Sequence, residues 1–281
     1  MRFPLSVAAC LLMSLSALVG ATAAAYTGPG AHAIPLQLWN GHLWVEIALN
    51  GQKTKAIVDT GCNDVVVPPA LAKSLRLAVT RSGTRVAMFD RQTDGLSGTV
   101  AELRLGDLIF RDQSVDVIDY PYPIIGLPVL AKYACSFDFD RGLLTLAPSP
   151  MTQSADSEQI PLTPFWGLYA VKGWLSGHEQ TFVVDTGADT TIASLQTVAQ
   201  IPRTRIMANP AHHLSFCRFQ QIRIGHHALS NPEFAVYDQP DTAGNTAVNT
   251  GAIMLGLPYW QRYNATFDFP AQRMSMTLRH R

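Results

Sequence analysis

Apolar and polar residues alternate in short runs along most of this chain, and turn residues cut the runs at close intervals. HLWVEIALNG, His42 to Gly51, alternates through its middle, the period-two pattern of a strand with one buried face. TKAIVDTG, Thr54 to Gly61, is a continuous apolar run that stops at an acid and a glycine, as a fully buried strand does on entering a turn. VAELRLGDLIF, Val100 to Phe110, reads as a hairpin closed at Gly106-Asp107. The runs are rich in valine, isoleucine, leucine and threonine and are separated by NG, SG, GD and PxP punctuation, so the expected fold is all-β. Helix is expected in only three places. These are PPALAKSLRL (Pro68 to Leu77) and the matching GLPVLAKY (Gly126 to Tyr133) and GLPYWQRY (Gly256 to Tyr263), where helix formers follow a proline suited to a first turn.

The pattern is written twice. Ile34-Pro35-Leu36 returns as Ile160-Pro161-Leu162, Gly51 as Gly177, and Asp59-Thr60-Gly61 as Asp185-Thr186-Gly187, each 126 residues later. LRLG at Leu103 to Gly106 answers IRIG at Ile222 to Gly225 at an offset of 119, and GLP and FDF recur at an offset of 130. The second copy therefore loses and then regains residues, the gain falling in the loop-like Pro240 to Gly251. APSPMTQSADSEQ, Ala147 to Gln159, has the proline and serine content of a linker. The expected organisation is a first lobe over 26–146, a linker over 147–159 and a second lobe over 160–281.

Residues 1–25 are set apart from the fold as an export signal. Arg2 gives a positive start, Leu5 to Gly20 is largely apolar, and Ala21 to Ala25 (ATAAA) offers small-residue cleavage sites. An uncleaved anchor is the competing reading, but Ser6, Ser14 and Ser16 dilute the run. The protein is expected to be exported, to the periplasm or the extracellular space, and not membrane-bound after signal cleavage. Lysine plus arginine and aspartate plus glutamate number 21 each in 281 residues, so no long-range charge attracts a nucleic acid. Cys62, Cys135 and Cys217 follow the signal, enough for one disulfide at most.

The repeated acid carries the chemistry. An aspartate and glycine ending one strand is a common turn, but the turn reading does not explain why the repeat keeps acid, hydroxyl and glycine together twice. With DTGCND and DTGADT, and with IIGLPVL and IMLGLPYW later in each copy, the sequence resembles the pepsin-clan aspartic peptidases, with lobes closer in size to retroviral-type (retropepsin-like) units in tandem. The resemblance implies a two-lobed acid-protease fold of pseudo-symmetric β-barrel lobes. It also implies an aspartic endopeptidase with Asp59 and Asp185 as the catalytic pair, Thr60 and Thr186 bracing the two loops, and Gly61 and Gly187 allowing close approach. No metal or cofactor is implied.

Two carboxylates about 3 Å apart cannot both ionise, so such a pair holds one proton and can activate a water. Cys62 and Ala188 stand where many single-chain relatives carry a hydroxyl that favours the charged carboxylate, so the activity is expected to peak in mild rather than strong acid. As a nucleophile Cys62 lacks a paired histidine in its local sequence. A peptide or protein substrate is expected to lie extended in the cleft. The hairpin Arg81 to Gly98 stands in the place of the family's flap, with Met88 and Phe89 as candidate contacts at its tip and core packing as the alternative use of that pair. Asn63, Asp64 and Asp189 are candidate contacts to substrate backbone, with surface turn roles as the alternative. His212, His213, Cys217, His226 and His227 lie close in sequence, but neighbouring residues of a strand point to opposite faces, which disfavours chelation. The two-lobed chain is expected to be a monomer, and the competing function is a non-catalytic peptide-binding protein on a peptidase scaffold.

Overall fold

The computed structural model describes residues 30–88, 91–151, 158–209, 213–237 and 251–279, with backbone alone for 82–88 and 91–94. The export signal, Phe89 and most of the 240–251 loop lie outside the described residues. The chain is all-β, as its alternation predicts.

One eight-stranded sheet is built entirely from the first half. Its order is β2 (Gln37–Trp39), β3 (His42–Leu49), β4 (Gln52–Val58), β9 (Ile124–Ile125), β5 (Val65–Val67), β8 (Leu108–Val117), β7 (Arg91–Leu105) and β6 (Thr80–Met88). β3 also pairs with β7, through Ile47↔Leu105 and Leu49↔Leu103, so the sheet curls back on itself.

A ten-stranded sheet comes from the second half. Its order is β17 (Arg203–Asn209), β18 (Leu214–Phe219), β21 (Glu233–Tyr237), β16 (Thr191–Ser194), β22 (Ile253–Leu255), β15 (His178–Val184), β14 (Leu168–Leu175), β19 (Gln221–Ile224) and β20 (His227–Ser230), with β13 (Thr163–Phe165) paired to β14. The halves meet in a six-stranded sheet ordered β1 (His32–Pro35), β11 (Leu143–Ala147), β10 (Ala134–Asp138), β23 (Tyr263–Asp268), β24 (Arg273–Leu278) and β12 (Ile160–Pro161).

Local chemistry explains the joints. β2–β3 and β3–β4 close through Asn40-Gly41 and Asn50-Gly51, all four at positive φ, the two-residue turn whose twist suits a hairpin. Trp166-Gly167 and Ser176-Gly177 repeat that geometry 126 residues later. The helices are shorter than expected: α1 spans Pro69–Ser74, α2 Leu127–Leu130 and α3 Leu257–Trp260. α2 and α3 stop after one turn because the chain is drawn into β10 and β23, which carry the buried Cys135, Phe137 and Phe267. Large side chains from both halves, among them Leu43, Phe137, Phe182, Phe267 and Trp260, share one continuous core. The described ends of the 147–159 segment are held against the shared sheet. Met151 is buried against Ala134 and Ala147 and donates its N–H to Asp268 Oδ2 at 3.2 Å, and Gln159 leads into β12. No helix among the described residues is long and apolar enough to cross a membrane. Among the described residues, Cys62, Cys135 and Cys217 are free thiols.

Candidate active site

β4 delivers Asp59 and β15 delivers Asp185, each at the end of a buried apolar run. Behind each lies a parallel strand that fixes the exit. Ile57 and Val58 pair with Ile124 and Ile125, and the Asp59 N–H donates to Ile125 O at 3.0 Å. Val183 and Val184 pair with Met254 and Leu255, and the Asp185 N–H donates to Leu255 O at 3.2 Å.

The threonines then cross. Thr60 Oγ1 donates to Val184 O at 2.9 Å and accepts the Thr186 N–H at 3.0 Å; Thr186 Oγ1 donates to Val58 O at 3.0 Å and accepts the Thr60 N–H at 3.1 Å. Both threonines are buried. Each hydroxyl thus both donates and accepts across the halves, and the four bonds set the spacing of the two loops.

That spacing brings the two carboxylates into hydrogen-bond contact with each other. It is possible only because glycine follows. A methyl at Gly61 would lie 2.6 Å from Asp185 Oδ1, and one at Gly187 would lie 2.5 Å from Asp59 Oδ1. Asp59 Oδ1 accepts the Gly61 N–H at 2.8 Å. Asp185 Oδ1 accepts two, from Gly187 at 3.0 Å and Ala188 at 2.9 Å. Burial, and then the negative charge of Asp185, hold the Asp59 carboxyl well above the usual carboxylate range. Asp185 is also raised by burial, against the pull of its backbone donors. The pair therefore retains a proton well above the pH at which a free aspartate would lose it.

A second layer supports the loops. The Leu127 N–H donates to Cys62 O and the Leu257 N–H to Ala188 O, both at 2.8 Å. Gly126 and Gly256 sit so close under Asp64, Cys62, Thr190 and Ala188 that a side chain on either would collide with their carbonyls. His42 Nδ1 donates to Gly187 O at 2.9 Å.

The other expected site residues divide. Asn63 lies against the Gly167 turn and Asp189 against the Gly41 turn, so each faces a hairpin of the opposite half. Asp64 is half-buried, with its pKa raised to about 6 by burial and then by the charge of Asp116. Met88 ends β6, and Phe89 is outside the described residues. Cys62 Sγ–H donates to Asp64 O at 3.4 Å rather than to Asp59, and burial, then the charge of Asp59, push its thiol up. A protonated thiol turned away from the dyad does not suit a nucleophile.

Of the five metal-candidate residues, Cys217 is buried on β18, His213 lies in a turn and His212 is outside the described residues. The rings of His226 and His227 lie 4.6 Å apart, because His226 sits in the turn before β20 and strand alternation does not separate them.

Sequence reasoning missed His42 and the aromatic residues next to the site. Burial, and then the charges of Asp59 and Asp189, raise the Tyr120 hydroxyl, and Tyr122 packs edge-on to Trp44 at 4.7 Å. An apolar groove of about 920 Å³ between Leu38, Trp39, Trp44, Leu71 and Tyr122 opens there without including either aspartate. The NG turn that exposes Trp39 was the only signal for it.

Residues 45–129 match the family of aspartyl proteases, a segment that holds the first acid loop and its Gly126 support. No curated protein matches the chain. The fold is consistent with the acid-protease β fold.

Proposed function

We propose that the protein is an aspartic endopeptidase, built as two tandem retropepsin-like lobes on one exported, monomeric chain, that hydrolyses peptide bonds with a water activated by Asp59 and Asp185. One observation carries the reading: two carboxylates in mutual hydrogen-bond contact, Asp185 buried and Asp59 partly so, on loops braced by reciprocal threonine bonds. The aspartyl protease match over 45–129 supports it for the first loop, and the 126-residue repeat extends it to the second. For export, the support is the leader-like composition of residues 1–25.

The donors to the two Oδ1 atoms and the stronger upward push on Asp59 support a starting protonation. Asp185 Oδ1 accepts two backbone N–H groups where Asp59 Oδ1 accepts the one from Gly61, and the bond between the acids favours the neutral form of Asp59 and the charged form of Asp185, so in this reading the proton starts on Asp59. The Asp185 carboxylate takes a proton from water as its oxygen attacks the scissile carbonyl carbon, and Asp59 gives its proton to the carbonyl oxygen. The product is a neutral gem-diol, with the two acids exchanged in protonation state. In collapse, Asp185 returns its proton to the leaving nitrogen, the C–N bond breaks, and one diol hydroxyl returns a proton to Asp59. No covalent enzyme species forms.

The test is cleavage of an unfolded protein between about pH 3 and 7, with Asp59→Asn, Asp185→Asn and a statine-type inhibitor. Turnover should vanish in both variants while their melting temperatures stay at or above that of the parent. Cleavage that persists in either variant contradicts the dyad, and inhibitor binding without any turnover in the parent establishes the peptide-binding alternative.

A further inference from the structure

We propose that Glu158, His226 and His227 form a three-ligand site for a divalent zinc-class metal ion that pins the connector between the halves to the sheet of the second half. The metal-binding atoms of the three side chains all lie within 4.8 Å of one another. Glu158 precedes β12 on the connector; His226, 68 residues away, sits in the turn after β19, and His227 begins β20.

The turn is shaped around the carboxylate. Glu158 Oε2 accepts the His226 backbone N–H at 3.0 Å and meets His226 Nδ1 at 2.7 Å. Gly225 has φ +57°, and a methyl there would lie 2.6 Å from Glu158 Oε1, so only glycine lets the acid sit over the turn. His227 packs its ring against Tyr263 at 5.2 Å. Its Nε2 is buried and has no hydrogen-bond partner.

An ion pair explains only part of this. It uses Glu158 and His226 and leaves the buried Nε2 of His227 without a partner, although native structures rarely leave such an atom unsatisfied. A metal ion uses all three groups. Two imidazoles and one carboxylate are the ligand chemistry of zinc and its first-row neighbours; calcium and magnesium require more oxygen donors. Tetrahedral bonds of about 2.0–2.1 Å place ligand atoms roughly 3.3 Å apart, so small side-chain rotations complete three corners and water supplies the fourth. The proton between His226 and Glu158 leaves as the metal enters.

The experiment uses the full, untagged chain, stripped with a chelator and titrated with Zn²⁺ by calorimetry. Thermal melts at rising Zn²⁺ accompany it, with Co²⁺ as a spectroscopic probe and Ca²⁺ as a comparison. The proposal expects one equivalent of Zn²⁺, a melting temperature that climbs with metal concentration, and a visible Co²⁺ band of a tetrahedral N,O site. Glu158→Gln, which keeps the side-chain size, and His227→Gln should each weaken Zn²⁺ binding by at least about tenfold. Absence of one-equivalent binding, binding unchanged in both variants, or Ca²⁺ bound as tightly as Zn²⁺ overturns it. None of these readouts depends on peptide cleavage, so the site stands or falls separately from the proposed dyad.

Discussion

Thr60 and Thr186 are the residues on which the site's geometry turns, because each hydroxyl is both donor and acceptor across the halves. Replacing Thr60 by valine keeps the shape but leaves the Val184 carbonyl and the Thr186 N–H unsatisfied in a buried place. At roughly 1–3 kcal/mol for each of the two orphaned groups, Thr60→Val should cost about 2–6 kcal/mol in urea unfolding. Thr60→Ser keeps the hydroxyl and should cost less than half of that; equal losses in the two variants would assign the residue to packing. A second prediction concerns Asp64. Its folded pKa of about 6 lies above the unfolded value of about 3.9, so the native state holds a proton that the unfolded chain lacks. The resulting stability is fully present below about pH 4 and is lost as pH rises through about 6. Melting temperatures over that range should therefore fall with a shallower slope in Asp64→Asn than in the parent, and identical slopes would contradict the raised pKa.

Among the elements, the β6–β7 hairpin has an outer part whose described strand pairing is internal to it. β7 pairs with β8 from Leu96 onward, whereas the pairing of β7 before Leu96 is with β6. Replacing residues 84–94 by a two-residue turn should leave the melting temperature nearly unchanged. If the hairpin closes over substrate, the same deletion should lower kcat/KM by about a hundredfold; full turnover would reduce it to a loop. The hairpins themselves were legible in the sequence, because Asn40-Gly41 and Asn50-Gly51 permit few other conformations. Helix length was over-read at GLPVLAKY, since the local propensity of Ala131 to Tyr133 gives way to the strand that buries Cys135 and Phe137. The acid loops were legible because they occur twice. The six-stranded sheet, the approach of Asp116 to Asp64 and the Glu158 contact were not, because long-range strand pairing creates them and no nearby residue encodes it.

At the scale of the molecule, the contacts that set the two acid loops and the shared sheet have counterparts with the halves exchanged. Gly61 faces Asp185 as Gly187 faces Asp59, and Gly41 faces Asp189 as Gly167 faces Asn63. In the shared sheet, β10 meets β23 with Ser136 opposite Thr266, their hydroxyls 3.1 Å apart, and these two residues are equivalent at the 130-residue offset of the repeat. A contact that maps onto itself when its partners are exchanged is the definition of an isologous interface. The first half also contains its own three strands of that sheet, β1, β11 and β10, and leaves β10 as the open edge. The proposed tandem arrangement therefore predicts that residues 30–151 expressed alone associate as a two-fold dimer, β10 against β10 at Ser136 and Thr60 against Thr60. Sizing should give twice the fragment mass, the melting temperature should rise with protein concentration, and Thr60→Val should shift the fragment toward unfolded monomer. A fragment that is folded and monomeric at micromolar concentration would mean that the first half completes its core without a partner, and the symmetry of the contacts would then carry no information about how the two carboxylates are brought together.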